Sequence, residues 1–341
     1  MMSYLVTGGG GFIGSALVRA LLERGARVRV VDNFSTGLRS NLSDVEEEIE
    51  LIEGDLSDLE VSRQAVEGMD YLLHEAADSS VARSVEDPLS SNRANVTATL
   101  NLLVAARDAG IRRFVFASSS SVYGDTEVLP KVETMPEKPI SPYALGKLAG
   151  EKYSVIFHRT YGLPTVCLRY FNVFGPRQNP NSPYSAVISR FVTAALSGAP
   201  VTIYGDGRQS RDFTYVDNVV AANLLACVKD DAVGGVFNVG TSERHTLNEL
   251  VSLLSSMTGR ALNPEYVPSR QGDVRHSLAD IGSAWRLLGY RPQVRFHEGL
   301  RRTVEWYSAA ASAKQPCVSA DPDCVAPCTP EASYLNPTPT F

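Results

Sequence analysis

A glycine-rich turn near the N-terminus constrains the fold more strongly than any other feature of the sequence. Its frame is Gly8-x-x-Gly11-x-x-Gly14, and it connects a strand-like run at 4–6 to a segment at 12–24 with helical periodicity. Glycines at this spacing allow a tight turn, a close approach of the backbone to a pyrophosphate, and close packing of helix on strand. The helix N-terminus adds free N–H groups and partial positive charge. The turn therefore predicts a β–α–β unit that binds a dinucleotide.

Short apolar runs alternate with helical patterns through the first half of the chain. The runs at 28–31, 49–52, 71–73 and 114–117 are typical of buried strands. This alternation predicts an α/β fold of the Rossmann type, with a doubly wound parallel sheet and helices on both faces. The second half alternates less regularly and predicts a smaller C-terminal α/β domain.

We predict a dinucleotide-binding domain over 1–170 and a substrate-binding domain over 171–311, with parts of 212–240 returning to the first domain. Residues 312–341 are rich in Pro, Ser and Thr and lack periodicity. A segment of this composition cannot bury enough apolar surface to offset its ordering entropy, so we predict a disordered tail.

Two helix starts carry the signature of a capping box, in which Ser or Thr precedes Glu by three residues. They are Ser57 with Glu60, and Thr246 with Glu249. Each pair predicts that a helix begins directly after its Ser or Thr.

Composition and net charge argue against several classes of function. The net charge of −6 argues against a general nucleic-acid binder. No apolar run approaches the roughly 20 residues that a membrane span needs, and residues 1–7 lack the features of a secretory signal. We therefore expect a cytoplasmic protein with no nucleic-acid or membrane partner. The cysteines match no zinc pattern, so no metal site is predicted.

Asp32 ends the second predicted strand, 18 residues after Gly14. A dinucleotide fold places a carboxylate there to accept hydrogen bonds from the adenosine ribose. Because the carboxylate repels a 2′-phosphate, NAD is favoured over NADP as the cofactor. The alternative is a strand-end Asp that only faces water. Asp55 follows the third strand, where a cofactor contact and a simple turn role are both open.

Tyr143 and Lys147 are four residues apart on a helix predicted to start at Ser141-Pro142. This spacing puts the phenol and the ammonium group on the same helix face. A neighbouring cation stabilises phenolate, so we expect a lowered Tyr143 pKa and a general base near neutral pH. The serine run at 118–121 follows a predicted strand at its carboxyl end, where a hydroxyl can bond a substrate oxygen; a plain turn is the alternative.

Taken together, these motifs resemble the extended short-chain dehydrogenase/reductase family. Residues 118–125 (SSSSVYGD), 169–172 (RYFN) and 211–213 (RDF) are similar to its UDP-glucose 4-epimerase group. Residues 168–191 and 270–280 are most similar to UDP-N-acetylglucosamine 4-epimerases. The resemblance runs from about residue 3 to Tyr307.

The resemblance implies a role for each matching position. Ser119, Ser120, Tyr143 and Lys147 would be catalytic. NAD would be bound by Gly8, Gly11, Phe12, Ile13, Gly14, Asp32, Asn33, Ser35, Thr36, Gly37, Asp55, Leu56, Ala76, Ala77, Asn95, Tyr143, Lys147 and Tyr170. The UDP-sugar substrate would contact Ser79, Ser119, Ser120, Tyr143, Asn172, Ala186, Val187, Tyr204, Arg211, Arg270, Asp273 and Ser277.

The activity that the resemblance implies is 4-epimerisation of a UDP-hexose through a 4-keto intermediate. A dehydratase or decarboxylase would need a carboxylate just after the active-site hydroxyl, where this chain has Ser120 and Ser121. A non-catalytic NAD-sensing protein would usually lack the Tyr or the Lys. The family also implies a homodimer that pairs helices near 90–109 and 142–160.

The resemblance also bears on which sugar pair is used. Ser277 matches a position where relatives that accept N-acetyl sugars carry a small residue and relatives restricted to smaller sugars carry Tyr. UDP-GlcNAc and UDP-GalNAc are therefore expected first. UDP-glucose with UDP-galactose, alone or in addition, and UDP-hexuronates remain alternatives.

Overall fold

The computed structural model describes residues 1–180, 187–269 and 275–313. Its strands, in chain order, are β1 (Ser3–Thr7), β2 (Arg27–Asp32), β3 (Ile49–Glu53), β4 (Tyr71–His74), β5 (Arg113–Ser119), β6 (Thr165–Tyr170), β7 (Val173–Phe174), β8 (Val201–Tyr204), β9 (Ser210–Arg211), β10 (Thr214–Tyr215), β11 (Val236–Val239), β12 (His245–Thr246) and β13 (Pro264–Val267).

The helices alternate with the strands through the first half of the chain. They are α1 (Phe12–Leu22), α2 (Leu59–Val66), α3 (Val81–Glu86), α4 (Pro88–Asn92), α5 (Ala98–Asp108), α6 (Pro142–Tyr161), α7 (Val187–Ser197), α8 (Val216–Val228), α9 (Leu247–Thr258) and α10 (Phe296–Ala313). Short π-helical turns cover Arg93–Thr97 and Ala284–Leu288, and a 3₁₀ turn covers Ser120–Tyr123.

A seven-stranded parallel sheet forms the centre of the molecule, with the order β11-β6-β5-β4-β1-β2-β3. Helices α1 and α8 pack on one face, and α2, α5 and α6 pack on the other. The doubly wound Rossmann prediction is confirmed. Strand β11 lies within 212–240 and pairs with β6, so this part of the chain completes the sheet.

A second lobe packs beside the sheet around its own apolar core. Helices α7, α9 and α10 supply most of this core, which includes Phe191, Leu250 and Leu300. Its strands are short and pair in three separate two-stranded ribbons, β7 with β10, β8 with β13, and β9 with β12. We call this part, 171–180 and 187–215 together with 244–269 and 291–313, the substrate lobe, after the role predicted for it.

Two details of the helix ends differ from the sequence analysis. The N-cap of α2 is Asp58, whose side chain accepts from the Glu60 N–H, so the predicted cap at Ser57 is wrong by one residue. The capping box of Thr246 and Glu249 is confirmed at the start of α9.

The last described helix extends past the predicted domain boundary. Helix α10 ends at Ala313, so the predicted boundary at 311 falls inside it, and the remainder of the predicted tail lies outside the described residues. Among the helices that the structure describes, none has the length and apolarity to cross a membrane.

Parallel strands bring their carboxyl ends to one edge of the sheet. The chain order reverses between β1 and β4, which are neighbours. A crevice opens at such a reversal, and ligands of doubly wound sheets bind there. Gly8 and Glu75 follow strands at this edge, and the serine run at 118–121 spans the end of β5.

Candidate active site

A cavity of about 960 Å³ runs along the carboxyl edge of the sheet. One end is formed by the glycine-rich turn and the residues after β2, and the other end by Tyr143, Lys147 and Tyr170. The cavity therefore connects the predicted phosphate-binding turn to the predicted catalytic pair.

The glycine-rich turn fits a bound pyrophosphate. At Gly8, which has φ +68°, an added Cβ would lie 2.8 Å from the backbone of Ala76. At Gly14, a Cβ would lie 2.2 Å from the Gly8 carbonyl oxygen. The N-cap of α1 is Gly11, so no side chain occupies the first N–H groups of the helix. These groups face the cavity and suit an anion.

Asp32 shapes the wall at the far end of β2. Its carboxylate accepts from the Gly10 N–H and the Phe34 N–H, each at 2.8 Å. Burial raises the pKa of Asp32, and the two backbone hydrogen bonds lower it. The side chain lines the cavity at the position that the sequence predicts for a ribose-binding carboxylate.

Tyr143 stands at the opposite end, on the first turn of α6. This helix begins as predicted, because the Ser141 hydroxyl accepts from the Ala144 N–H and Pro142 occupies the first helical position. The Tyr143 phenol hydrogen-bonds to the Ser119 side chain. The Ser119 hydroxyl also accepts from the Ser121 hydroxyl at 2.9 Å. A hydroxyl pair of this kind can hand a proton between a sugar oxygen and the phenol.

The expected lowering of the Tyr143 pKa is not seen. Burial raises the pKa of Tyr143, and the charges of Asp78 and Glu75 raise it further, whereas the Ser119 hydrogen bond lowers it. The sequence analysis considered Lys147 alone and overlooked both desolvation and the two carboxylates. A positive group in the cavity would act in the opposite direction on the phenol.

Lys147 is buried below Tyr143. Its ammonium group donates to the Ala117 carbonyl at 2.8 Å, and its Nζ lies 5.2 Å from the centre of the Phe116 ring. Burial lowers the pKa of Lys147, and the Glu75 charge raises it. Helix α6 and strand β5 therefore hold the lysine at the cavity wall.

Two cavity carboxylates were missed by the sequence analysis. Glu75 follows β4 directly and accepts from the Tyr170 hydroxyl at 2.7 Å. Asp78 pairs with the Arg83 guanidinium at 2.8 Å. The signal that could have found Glu75 is its position, because it follows a buried strand at the ligand-binding edge.

Most predicted cofactor residues line the cavity. They are Gly8, Gly11, Phe12, Ile13, Gly14, Asp32, Asn33, Ser35, Thr36, Gly37, Asp55, Leu56, Ala76, Ala77, Tyr143, Lys147 and Tyr170. Asn95 is the exception and lies behind the wall. Its amide donates to the Asp78 carbonyl at 3.0 Å and accepts from the Asp78 N–H at 2.9 Å, so it braces the loop instead.

The cavity also has walls that the sequence analysis did not identify. Phe34, Leu38 and Asn41 come from the loop after β2, and Arg83, Ser90 and Arg93 come from the helices after β4. Arg177, Gln178 and Asn179 approach from the substrate lobe. No sequence motif identifies these residues, because their loops come together only in the folded chain.

Two of the predicted substrate residues contact each other. The Asn172 side-chain amide, on a residue with φ +30°, donates to the Ser277 hydroxyl at 2.9 Å and to the Asp212 carbonyl at 3.1 Å. Ser277 is buried, and its N–H bonds the Ser210 carbonyl at 3.0 Å. Residues 105 positions apart in sequence therefore form one polar cluster beside β7 and β9.

The buried side chain of Asp212 anchors the loops around this cluster. Its buried carboxylate accepts from the Thr241 N–H and hydroxyl, the Ser242 N–H and the Ala279 N–H, at 2.7 to 3.1 Å. Burial raises the pKa of Asp212 to about 6, and these hydrogen bonds lower it. The loops around 241 and 279 are held together through one side chain.

The remaining predicted substrate residues are spread over several elements. Ser79 lines the cavity. Ser120 begins the 3₁₀ turn, Val187 begins α7, and Tyr204 ends β8. The Arg211 guanidinium donates to the Arg275 carbonyl at 3.0 Å. Ala186, Arg270 and Asp273 lie outside the described residues.

Within 1–180, 187–269 and 275–313, no cluster of three or more His, Cys, Asp or Glu side chains is arranged to hold a metal ion.

The model of the NAD dependent epimerase/dehydratase family matches residues 4–240. The chain is 40% identical over 311 residues to the UDP-glucose 4-epimerase of Mycolicibacterium smegmatis, covering 90% of this chain and 98% of that one. The predicted isomerase class and the predicted family resemblance are confirmed.

Solved structures agree with this relationship. The UDP-glucose 4-epimerase of Thermotoga maritima, solved with UDP-glucose, has a TM-score of 0.87 and 41% identity, covering 91% of this chain and 100% of that one. The UDP-N-acetylglucosamine 4-epimerase of Methanobrevibacter ruminantium, solved with UDP-N-acetylmuramic acid, has a TM-score of 0.86 and 41% identity, covering 91% and 99%.

The family description names NAD, in agreement with the cofactor predicted from Asp32. The glycine-rich turn, the strand-end carboxylate and the Tyr–Lys pair all lie within the residues that the family model matches. The chain belongs to the NAD dependent epimerase/dehydratase family.

Proposed function

We propose that this protein inverts C4 of a UDP-hexose by transient oxidation and reduction. The observation that carries the proposal is the Tyr143 phenol, hydrogen-bonded to Ser119 at the end of a dinucleotide-shaped cavity. A proton-accepting phenol at that place suits removal of a hydroxyl proton from a substrate. The related 4-epimerases support the same reaction class.

In the proposed reaction, Tyr143 takes the 4-hydroxyl proton through Ser119 and later returns a proton to the oxygen of the 4-keto sugar. Bound NAD would supply the hydride acceptor at C4, and the hydride would return to the opposite face of C4, so no net oxidation would occur. Lys147 holds positive charge near the phenol and stabilises its ionised form. Asp32 and the N–H groups of α1 hold the adenosine and pyrophosphate parts of the cofactor.

For the substrate, we favour the pair UDP-GlcNAc and UDP-GalNAc. The two solved relatives named above are equally identical to this chain and carry different sugar names, so identity does not discriminate. Support comes from Ser277, whose small side chain contacts Asn172, a residue expected to meet the sugar diphosphate. A small residue there leaves volume that an acetamido group needs while the sugar turns.

The test is a panel of UDP-sugars incubated with the purified protein, with products identified by NMR. We expect interconversion of UDP-GlcNAc and UDP-GalNAc at a kcat/KM above that for UDP-glucose and UDP-galactose. Conversion of UDP-hexuronates alone would overturn the sugar assignment but not the reaction class. A product that has lost water or CO₂ would overturn the reaction class.

Dehydratase and decarboxylase chemistry needs an added acid or base at the sugar. Positions 120 and 121 are serines, but Glu75 and Asp78 bring carboxylates near Tyr143. Both are engaged, Glu75 by the Tyr170 hydroxyl and Asp78 by Arg83. The engagement of both carboxylates favours epimerisation over loss of water or CO₂. The product analysis above distinguishes the three reactions.

Cofactor identity has a separate test. If NAD is used and regenerated in each cycle, the purified protein should retain it, and turnover should need no added nucleotide. Chromatography of the nucleotide released on denaturation should show NAD or NADH. Release of NADP would contradict the role assigned to Asp32.

We further propose a homodimer that forms through α6 and its neighbours. Leu145 and Ile156 are 57% and 50% exposed, and because they lie 11 residues apart, about three turns, they share one helix face. Leu89 on α4 is also exposed. Light scattering should give a dimer mass that falls to the monomer in Leu145→Asp/Ile156→Asp. The cytoplasmic location stays a prediction.

A further inference from the structure

Glu75 is a cavity residue to which the proposed reaction gives no role. It follows β4 at the ligand-binding edge, and one carboxylate oxygen accepts from the Tyr170 hydroxyl at 2.7 Å. That hydroxyl in turn accepts from the Asn223 side-chain amide at 2.7 Å, and Asn223 lies fully buried on α8. The chain of hydrogen bonds therefore connects α8, the end of β6 and the end of β4.

Lys147 and Glu75 both line the cavity, and the sheet brings them close together. Lys147 bonds the carbonyl of Ala117 on β5. Glu75 follows His74, which pairs with Phe116 on the same strand. The only hydrogen bond of Lys147 among the described residues goes to the Ala117 carbonyl, which is neutral. A buried ammonium group needs an opposite charge, because desolvation otherwise drives it to the uncharged amine. The nearby carboxylates are therefore the groups that decide the charge of Lys147.

Two carboxylates lie near the catalytic pair, and one of them is already neutralised. Asp78 is bonded by the Arg83 guanidinium, at 2.8 Å from Nη2 and 3.0 Å from Nε. Glu75 meets the neutral hydroxyl of Tyr170. Of the two carboxylates, Glu75 is therefore the one whose negative charge can balance the positive charge of Lys147.

The electrostatics of the two groups are reciprocal. Burial raises the pKa of Glu75, and the Tyr170 hydrogen bond and the Lys147 charge lower it. Burial lowers the pKa of Lys147, and the Glu75 charge raises it. Each group thus stabilises the charged form of the other. The titratable groups that interact with Glu75 are Tyr143 and Lys147 on α6 and Tyr170 at the end of β6. His74 and Asp78 lie beside it in the chain, and Cys227 on α8 acts on Tyr170.

We propose that Glu75 is a positioning residue that serves as the counter-ion of Lys147 and is itself fixed by Tyr170 and Asn223. The proposal deepens the epimerase mechanism and rests on it for its consequence in catalysis. With Glu75 ionised, Lys147 stays an ammonium group and stabilises the Tyr143 phenolate. Without it, Lys147 becomes an uncharged amine within the working pH range.

The test measures the charge of Lys147 directly and does not depend on turnover. The chain has only six lysines, so ¹³C labelling at lysine Cε gives a spectrum in which Lys147→Arg identifies the resonance. The purified protein with saturating NAD is titrated, and the midpoint of Lys147 is compared with that in Glu75→Gln. The glutamine keeps the volume and an acceptor for Tyr170 but removes the charge.

We expect the Lys147 midpoint to fall by about one pH unit or more in Glu75→Gln, which is the usual effect of an opposite charge at close range. Glu127→Gln is the matched control, because it removes an exposed carboxylate outside the cavity lining and should leave the midpoint unchanged. Tyr170→Phe removes the hydrogen bond but keeps the charge, so the midpoint should move less than in Glu75→Gln. Equal shifts in the two variants, or none in Glu75→Gln, would overturn the proposal.

The wild-type protein gives a second measurement that needs no variant. Coupled groups titrate together, so the Lys147 resonance should show a smaller second step where Glu75 loses its proton. A curve with a single step would contradict the coupling. Where turnover is measurable, its alkaline limb should move to lower pH in Glu75→Gln by the same amount as the midpoint. An absence of turnover in the wild-type protein would contradict the proposed epimerase activity. The lysine titration would still test whether Glu75 is the counter-ion of Lys147.

Discussion

The cofactor end of the site and the substrate lobe are built in different ways. Gly8, Asp32 and the serine run lie at the carboxyl ends of parallel strands, so the sheet itself brings them to one edge. The cluster of Asn172, Asp212 and Ser277 instead joins three segments that are far apart in the chain. The residues of the first site can be recognised from local sequence patterns. The second site depends on tertiary contacts that only the folded lobe provides.

The largest expected effect is at the cofactor end. Tyr143→Phe keeps the ring and its packing but removes the ionisable group, so kcat should fall at least ~10²-fold. NAD should still be bound, as judged from nucleotide released on denaturation. Tyr161→Phe on the exposed end of the same helix is the control. Near-normal turnover of Tyr143→Phe would remove the phenol from the chemistry.

The next effect tests the substrate lobe. Ser277→Tyr fills the space beside Asn172, so kcat/KM for the acetylated pair should fall roughly tenfold or more relative to UDP-glucose and UDP-galactose. Ser277→Ala loses the hydrogen bond but stays small, and it should keep the wild-type ratio. If Ala and Tyr shift the ratio alike, the hydrogen bond and not the volume sets the preference.

A smaller effect concerns stability in the sheet. His74 is buried between the Thr7 and Thr99 hydroxyls, at 2.8 and 2.9 Å, and burial lowers its pKa to about 3. The unfolded chain binds this proton below about pH 6.5 whereas the folded chain does not, so stability is lost as the pH falls. Between about pH 7 and about pH 5.5 the loss should be about 1 kcal/mol.

The measurement is urea unfolding at both pH values for wild type and His74→Gln. The variant should be less stable but should lose less free energy of unfolding over this interval. His297→Gln, at an exposed position on α10, is the control. If His74→Gln loses as much free energy of unfolding between the two pH values as wild type does, a group other than His74 causes the pH dependence.

The smallest effect is expected from the C-terminus. Removal of 314–341 leaves α10 intact and should change the melting temperature and turnover very little, because the composition predicts no packed structure. Calorimetry and a product assay on the shortened chain would check this. A melting temperature several degrees lower would mean that these residues pack on the fold.

The sequence predicted most of the cofactor end because each of its signals is local. The glycine frame, Asp32 and the Tyr–Lys spacing each occupy a few residues, and their strand–turn–helix context is also local. The prediction went wrong where neighbours in space matter. The Tyr143 pKa depends on Glu75 and Asp78, and Asn95 bonds the Asp78 backbone and does not reach the cavity.

The substrate lobe was predicted less well for a physical reason. Its strands β9, β10 and β12 have two residues each and exist only because a distant segment pairs with them. No periodicity can develop over two residues. Asn172 and Ser277 were identified through family resemblance, and their contact with each other has no counterpart in the local sequence.

The path of the chain has a consequence for how the protein can evolve. After the substrate lobe begins at β7, the chain returns to the sheet for α8 and β11, and returns again at Ala284, Leu288 and Tyr290, which pack in the sheet core. The Tyr290 hydroxyl donates to the Gly240 carbonyl at 2.8 Å. No single cut separates the two cores, so recombination cannot exchange the lobe as a cassette. New specificity must come from point changes within it, and heat should melt both cores in one cooperative transition.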